Sequence, residues 1–129
     1  MNKVLLVEDT PSLATEIMDI LRMEDFDVSL AINGLDALNK LRIQLSDIVI
    51  SDLFMPEIDG FQLITELKND DKLKHIPIII LSARTTSDTI EKVKELGADL
   101  FLQKPCDSRH LVGSIKKVLI KKERVNTND

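Results

Sequence analysis

Five side chains with chemical potential stand where apolar runs of this sequence stop. Glu8 and Asp9 follow the run Lys3–Val7, Asp52 follows Ile48-Val49-Ile50, Ser82 follows Ile76–Leu81, and Lys104, with Pro105 behind it, follows Leu100–Gln103. Taken singly, each reads as a solvated strand end. If the runs are neighbouring strands of one parallel sheet, however, their C-terminal ends share one rim, and three carboxylates crowd there with one ammonium. Such a group repels itself unless a cation joins it. Mg²⁺ suits the position, because it binds through one or two carboxylates, keeps several waters and commonly shares a phosphate. Three carboxylates and one ammonium leave two negative charges, which one Mg²⁺ cancels.

The element that must position Asp52 is the stretch Asp47–Gly60. Its β-branched run is too short for a helix and reads as a buried strand. Pro56 denies a ladder donor and Asp59-Gly60 is a turn signal, so the chain leaves the sheet just after the carboxylate. Before it, Lys3–Val7 is an apolar strand, and Thr10-Pro11 offers a capping hydroxyl with proline at the first helical position. Leu13, Ile17, Ile20 and Leu21 then recur at helical spacing. Phe26–Ala31 is a weaker, more polar strand, as an edge strand would be. Asn33-Gly34 turns the chain, and Leu35, Leu38 and Leu41 mark a helix. Phe61, Ile64 and Leu67 mark the next, Asn69–His75 is a polar loop, and Ile76–Leu81 is the most apolar strand. Ile90, Val93 and Leu96 lie on a fourth helix closed by Gly97, a left-handed C-cap. Leu111, Ile115, Val118 and Leu119 stripe a last helix, expected to dissolve at Lys121-Lys122-Glu123-Arg124.

Strand and helix thus alternate five times, the signature of a parallel sheet with helices on both faces. Five such units predict an α/β, doubly wound, five-stranded parallel sheet in the flavodoxin-like order 2-1-3-4-5. The domain is expected over residues 1–122, with 123–129 a polar tail or the start of a linker. In open α/β sheets the carboxyl rim is where ligands bind.

Composition narrows the function. The chain has 129 residues, 43% hydrophobic and 30% charged, and a net charge of -5. That charge disfavours binding to nucleic acid or anionic membrane, both of which want a basic surface. One cysteine, Cys106, allows no internal disulfide and fits a reducing, cytoplasmic setting. No apolar run approaches the ~20 residues of a membrane span, and no signal peptide is evident. With no Trp or Tyr and four Phe, base stacking is not the binding mode.

The motifs Val4-Leu5-Leu6-Val7-Glu8-Asp9, Asp52-Leu53-Phe54-Met55-Pro56 with Asp59-Gly60, Leu81-Ser82-Ala83, and Gly97-Ala98-Asp99 leading to Lys104-Pro105 resemble the receiver domain of two-component response regulators. Their order and spacing carry the resemblance over about residues 2–120. It implies that Asp52 is the phosphoacceptor, a carboxylate nucleophile forming an acyl phosphate. It implies Mg²⁺ on Asp9 and Asp52, on Glu8 through water, and on the backbone carbonyl of Phe54. Lys104 would pair with phosphoryl oxygens, Ser82 would donate to them, and Phe101 would turn inward as Ser82 moves. Residues Phe54 and Arg84 would tune the rate of dephosphorylation. The Lys104–Pro105 peptide would be cis. The implied donor is a sensor histidine kinase, a histidine phosphotransfer protein or acetyl phosphate. A dimer on phosphorylation and an output partner on the helix 4–strand 5–helix 5 face (Glu91, Lys94, Arg109, Lys116) belong to the same expectation. The sequence departs from the family where Phe101 replaces the commoner Tyr, Ser82 the commoner Thr, and Cys106 a frequent Phe.

Rival readings are weaker. A flavodoxin needs a Ser/Thr/Gly-rich loop after strand 1, where Glu8-Asp9 would repel the flavin phosphate. A dehalogenase-like phosphatase wants a second acid two positions after the nucleophile, where Phe54 stands. A degenerate receiver acting only as a binding module is disfavoured because every acceptor-site residue is present. DNA binding would need a separate output domain. His75, His110 and Cys106 read as bland, the histidines at the surface and the thiol as inert packing.

Overall fold

The computed structural model describes residues 2–127. Ten elements alternate without exception: β1 (Lys3–Val7), α1 (Pro11–Met23), β2 (Asp27–Ala31), α2 (Gly34–Ile43), β3 (Ile48–Ser51), α3 (Gly60–Lys68), β4 (Ile78–Ser82), α4 (Ser87–Leu96), β5 (Leu100–Gln103) and α5 (Ser108–Thr127). All strand pairings are parallel, in the order β2-β1-β3-β4-β5. This is the predicted doubly wound sheet.

Two cores lie on its two faces because successive strand residues point to opposite sides. Leu5, Val7, Val49, Ile78 and Ile80 pack against Ala37, Leu38 and Leu41 of α2, Leu63, Ile64 and Leu67 of α3, and Val93 of α4. Val4, Leu6, Ile48, Ile50, Ile79 and Leu81 meet Ala14, Ile17 and Leu21 of α1 and Leu111, Ile115 and Leu119 of α5. β1, β3 and β4 are buried along nearly their whole length, which is why they read as unbroken apolar runs.

Several local expectations change. β2 starts at Asp27, not Phe26; Phe26 is buried but precedes the ladder, after Asp25 at φ 64°. β4 starts at Ile78, because the Ile76 N–H is spent on a turn bond to the Leu73 carbonyl and Pro77 has none. The 69–75 loop is not wholly polar, since Leu73 is buried among the residues of the α2–α4 side. Leu35 is exposed, and the buried stripe of α2 runs through Ala37, Leu38 and Leu41 instead. Thr10 precedes α1 without a side-chain cap bond. α5 does not stop at the Lys121–Arg124 run but extends to Thr127. Charged residues propagate a helix readily, and no glycine or proline stands there to end it.

Two glycines at predicted turns open helices instead. Asn33 and Asp59 are N-caps whose side chains accept from Asp36 N and Gln62 N, with a full capping box at Asp59. Gly60 is forced by a close approach: a Cβ there would lie 2.8 Å from the Asp52 carbonyl oxygen and from Leu53 Cα. α3 is thus seated directly against the backbone that carries Asp52. Beside the edge strand β2, Lys40 of α2 donates to the Leu30 carbonyl, and Asp36 accepts from Ile32 N just past the strand.

Candidate functional site

Backbone bonds continue the sheet one step past its strand ends and fix the site. The N–H of Glu8 donates to the Ala31 carbonyl at 3.0 Å, that of Asp52 to Val7 at 3.0 Å, and that of Lys104 to Ser82 at 2.9 Å. Residues from β1, β3, β4 and β5 therefore arrive at one rim at defined heights. Glu8, Asp9 and Asp52 each bring a carboxylate oxygen within 4.8 Å of the others. Asp9 is exposed, Asp52 half-buried, and Glu8 only 3% exposed, the one charged residue in the buried class among the described residues.

A buried carboxylate demands a partner. Lys104 supplies it: its ammonium lies 3.0 Å from Glu8 Oε2 and 3.4 Å from Asp52 Oδ2. Each carboxylate has its other oxygen on a backbone N–H, Thr10 N to Glu8 Oε1 at 3.3 Å and Leu53 N to Asp52 Oδ1 at 2.8 Å. Asp52 is thereby oriented from both sides, with one oxygen held by its own turn and the other turned toward the centre of the cluster. The Lys104–Pro105 peptide is cis. Ser82 is buried at 1% exposure, and its Oγ accepts from Arg84 N at 3.2 Å. Its neighbour on β4, Ile80, pairs in register with Phe101 of β5. Phe101 is half-buried and packs against the α2–α4 core.

The donor set is chemically uniform. Three carboxylates on one rim, without nitrogen or sulfur, are the ligands a hard divalent cation takes, and the charge left after Lys104 is what such a cation neutralises. Glu8, Asp9, Asp52 and Lys104 are thus brought together as expected. Ser82 stands on the adjacent strand end, while Phe101 lies three residues before Lys104 on β5.

The remaining candidates lie elsewhere. His75 and His110 are exposed. Burial and then the Asp107 carboxylate push the Cys106 thiol up from its ordinary value, which keeps it protonated and unreactive near neutrality. Lys116 reaches across to Glu24 at 3.5 Å, so it faces α1 as much as the predicted partner face. The resemblance already names Phe54 and Arg84 together, but not that they touch: the Arg84 guanidinium lies 4.4 Å from the Phe54 ring centroid, and Phe54 meets Phe61 edge-on. Only tertiary structure brings those positions together. No helix among the described residues is long and apolar enough to cross a membrane.

Comparison with known proteins agrees with this geometry. Residues 4–116 match the family described as response regulator receiver domain. The chain is 38% identical over 121 residues to a transcriptional regulatory protein, a CpxR homolog, of Haemophilus influenzae, covering 92% of this chain and 51% of that protein. It is 36% identical to a probable transcriptional regulator, ycf29, of Porphyra purpurea, covering 98% of this chain and 60% of the relative. The chain therefore spans between half and three fifths of these relatives. Among solved structures, the signal receiver domain of a signal transduction histidine kinase from Syntrophus aciditrophicus superposes with a TM-score of 0.88 at 33% identity, covering 94% of this chain and 92% of that one. The chemotaxis protein CheY4 of Vibrio cholerae gives 0.87 at 30% identity, covering 92% and 98%.

Proposed function

The chain belongs to the response regulator receiver domain family, and we propose that it is the phosphoacceptor switch of a two-component phosphorelay, with Asp52 as the acceptor. The observation that carries this reading is the placement of Lys104 between Glu8 and Asp52, 3.0 and 3.4 Å from their oxygens. A carboxylate held at a strand end, with an ammonium already beside it, is prepared for a group that brings its own negative charge.

In the transfer, an Asp52 carboxylate oxygen attacks phosphorus as the bond to the donor's leaving nitrogen or oxygen breaks. The phosphoryl group passes to the carboxylate, and the leaving group departs with the bonding pair. Phosphoryl transfer asks mainly for alignment and neutralisation of charge. Leu53 N aligns the acceptor through Oδ1. The Lys104 ammonium takes up phosphoryl charge as a mobile point donor, and the buried Ser82 hydroxyl donates to a phosphoryl oxygen. Asp9 and Asp52, the Phe54 carbonyl and, through water, Glu8 would hold Mg²⁺, which when bound neutralises the charge gathering between acceptor and donor. Water attacking the phosphoryl phosphorus returns Asp52 and releases inorganic phosphate, so the switch resets itself slowly. Phe54 screens that water.

The readout is a population shift in which Ser82 moves toward the phosphoryl group and Phe101 turns into the space behind it. Moving such an equilibrium from 1:99 to 99:1 requires about 5.5 kcal/mol of differential interaction. The changed face, α4–β5–α5, takes an output partner or a second copy of the chain. The donor is a sensor histidine kinase or a histidine phosphotransfer protein. The switch unit is the ten-element fold whose last helix, α5, runs on to Thr127 rather than ending at residue 122, and it acts in the cytoplasm without contacting nucleic acid itself. Intact mass after incubation with acetyl phosphate tests this. One added phosphoryl group is expected with Mg²⁺ and none with EDTA; no gain under either condition contradicts the reading.

A further inference from the structure

An exposed phenylalanine beside a polar site calls for an explanation. Phe54 is 41% exposed, although Leu53 and Met55 on either side of it are buried. Its ring carries the Arg84 guanidinium 4.4 Å from the centroid. It also meets the Phe61 ring at 6.0 Å and 80°. Phe61 in turn carries the Lys92 ammonium 4.3 Å from its centroid. Cation, ring, ring, cation: the four come from the loop after β4, the loop after β3, α3 and α4. Aromatic faces are electron-rich and attract cations, while an edge-on ring pair is attractive in its own right.

Both inner members are anchored to the site. Phe54 is two residues beyond Asp52, whose Oδ1 is bound by Leu53 N. Arg84 donates its backbone N–H to Ser82 Oγ. The Phe54–Arg84 contact therefore bridges the two loops that leave the ends of β3 and β4. The outer members lie away from the chemistry. Phe61 is half-buried against the α2–α4 core and Lys92 is exposed on α4.

We propose that Lys92 is a positioning residue for the acceptor site: seated on Phe61, it holds that ring against Phe54 and so keeps the Phe54–Arg84 bridge closed across the mouth. The proposal rests on Asp52 being the phosphoacceptor. With Lys92 gone, Phe61 loses its outer restraint, Phe54 gains freedom, and water reaches the phosphoryl group more often. A residue on the outer surface of α4 thereby sets the lifetime of the phosphorylated state, and a partner that draws Lys92 off the ring shortens it.

The test is the rate at which phosphorylated wild type, Lys92→Gln, Lys92→Arg, Arg84→Gln and the double variant Arg84→Gln/Lys92→Gln lose the group, followed by intact mass. Lys92→Gln is expected to lose it about two- to fivefold faster, the scale of one exposed cation–π contact. Lys92→Arg, which also stacks, restores the wild-type rate. The double variant is no faster than Arg84→Gln alone, because both act through one bridge. In the unphosphorylated protein, the upfield ring-current shift of the Arg84 Hδ protons shrinks in Lys92→Gln. Equal rates in wild type and Lys92→Gln, or strictly additive effects in the double variant, overturn the proposal. If the wild type takes up no phosphoryl group, the acceptor reading fails and the NMR shift decides alone: a reduced Arg84 shift sustains the Lys92 linkage, an unchanged one overturns it.

Discussion

Glu8 and Lys104 sit 96 positions apart in the chain and 3.0 Å apart in the fold. The glutamate side chain is 2% exposed and the lysine 16%, so the pair lies at the inner wall of the site rather than on its surface. Lys104 is shared with Asp52 at 3.4 Å. One ammonium thus holds together two carboxylates that would otherwise repel, and it does so where a third, Asp9, stands within reach.

Removing that ammonium should be costly in the metal-free protein. A buried pair broken by loss of one partner typically costs ~3–5 kcal/mol; because Asp52 and Lys104 keep some contact with water, about 2 kcal/mol is expected for Lys104→Met. Mg²⁺ should narrow the deficit, since a cation at the carboxylates replaces the lost charge. Denaturant titrations in EDTA and in Mg²⁺ measure both numbers. A deficit that is the same in both media would speak against a metal held by these carboxylates.

Gly60 and Gly113 should respond oppositely to an added methyl group. A Cβ at Gly60 would press on the Asp52 carbonyl oxygen and Leu53 Cα, both 2.8 Å away and both backbone. Gly60→Ala should therefore destabilise by about 1–3 kcal/mol and slow phosphoryl uptake, because the strand end must shift. Gly113, inside α5, has nothing within 4 Å. Gly113→Ala should stabilise by about 0.5–1 kcal/mol and leave uptake alone. Thermal melts and initial rates of mass gain check the pair.

The Cys106 thiol holds its proton more tightly in the fold than in the unfolded chain, through burial first and Asp107 second. Its contribution to stability is accordingly present below the unfolded-state pKa and lost as pH rises through the folded one. Alkylation by iodoacetamide should be slow at neutral pH, with a midpoint displaced to more alkaline pH than in the urea-unfolded protein. Coincident midpoints would show the thiol to be unburied. Cys106→Ser should remove this alkaline component of the stability curve.

Much of this site was legible before any fold was known, and the reason is local. Asp52 is marked by the β-branched run before it and by Pro56 and Asp59-Gly60 after it, all within a dozen residues or so. Parallel alternation then places Glu8, Asp52, Ser82 and Lys104 on one rim, because Ser82 ends its strand and each of the others directly follows one. What stayed hidden depended on contacts between distant segments. Nothing near Phe61 announces that Lys92 covers its ring, nor that Phe54 lies between it and Arg84. The length of α5 is hidden for a different reason: a run of charged residues is no stop signal, since helices end at caps, glycine or proline. Thr10 failed as a side-chain cap even though its residue type and the following proline both fit.

The measurement that bears most directly on the central claim is chemical mapping of the phosphorylated residue. After acetyl phosphate and Mg²⁺, borohydride reduces an aspartyl phosphate to homoserine, and peptide sequencing by mass locates the change. The account predicts homoserine at position 52 and nowhere else, with none formed in Asp52→Asn or when Mg²⁺ is withheld. Homoserine at Asp9, or a phosphoryl group that survives borohydride on a hydroxyl or histidine, would contradict it.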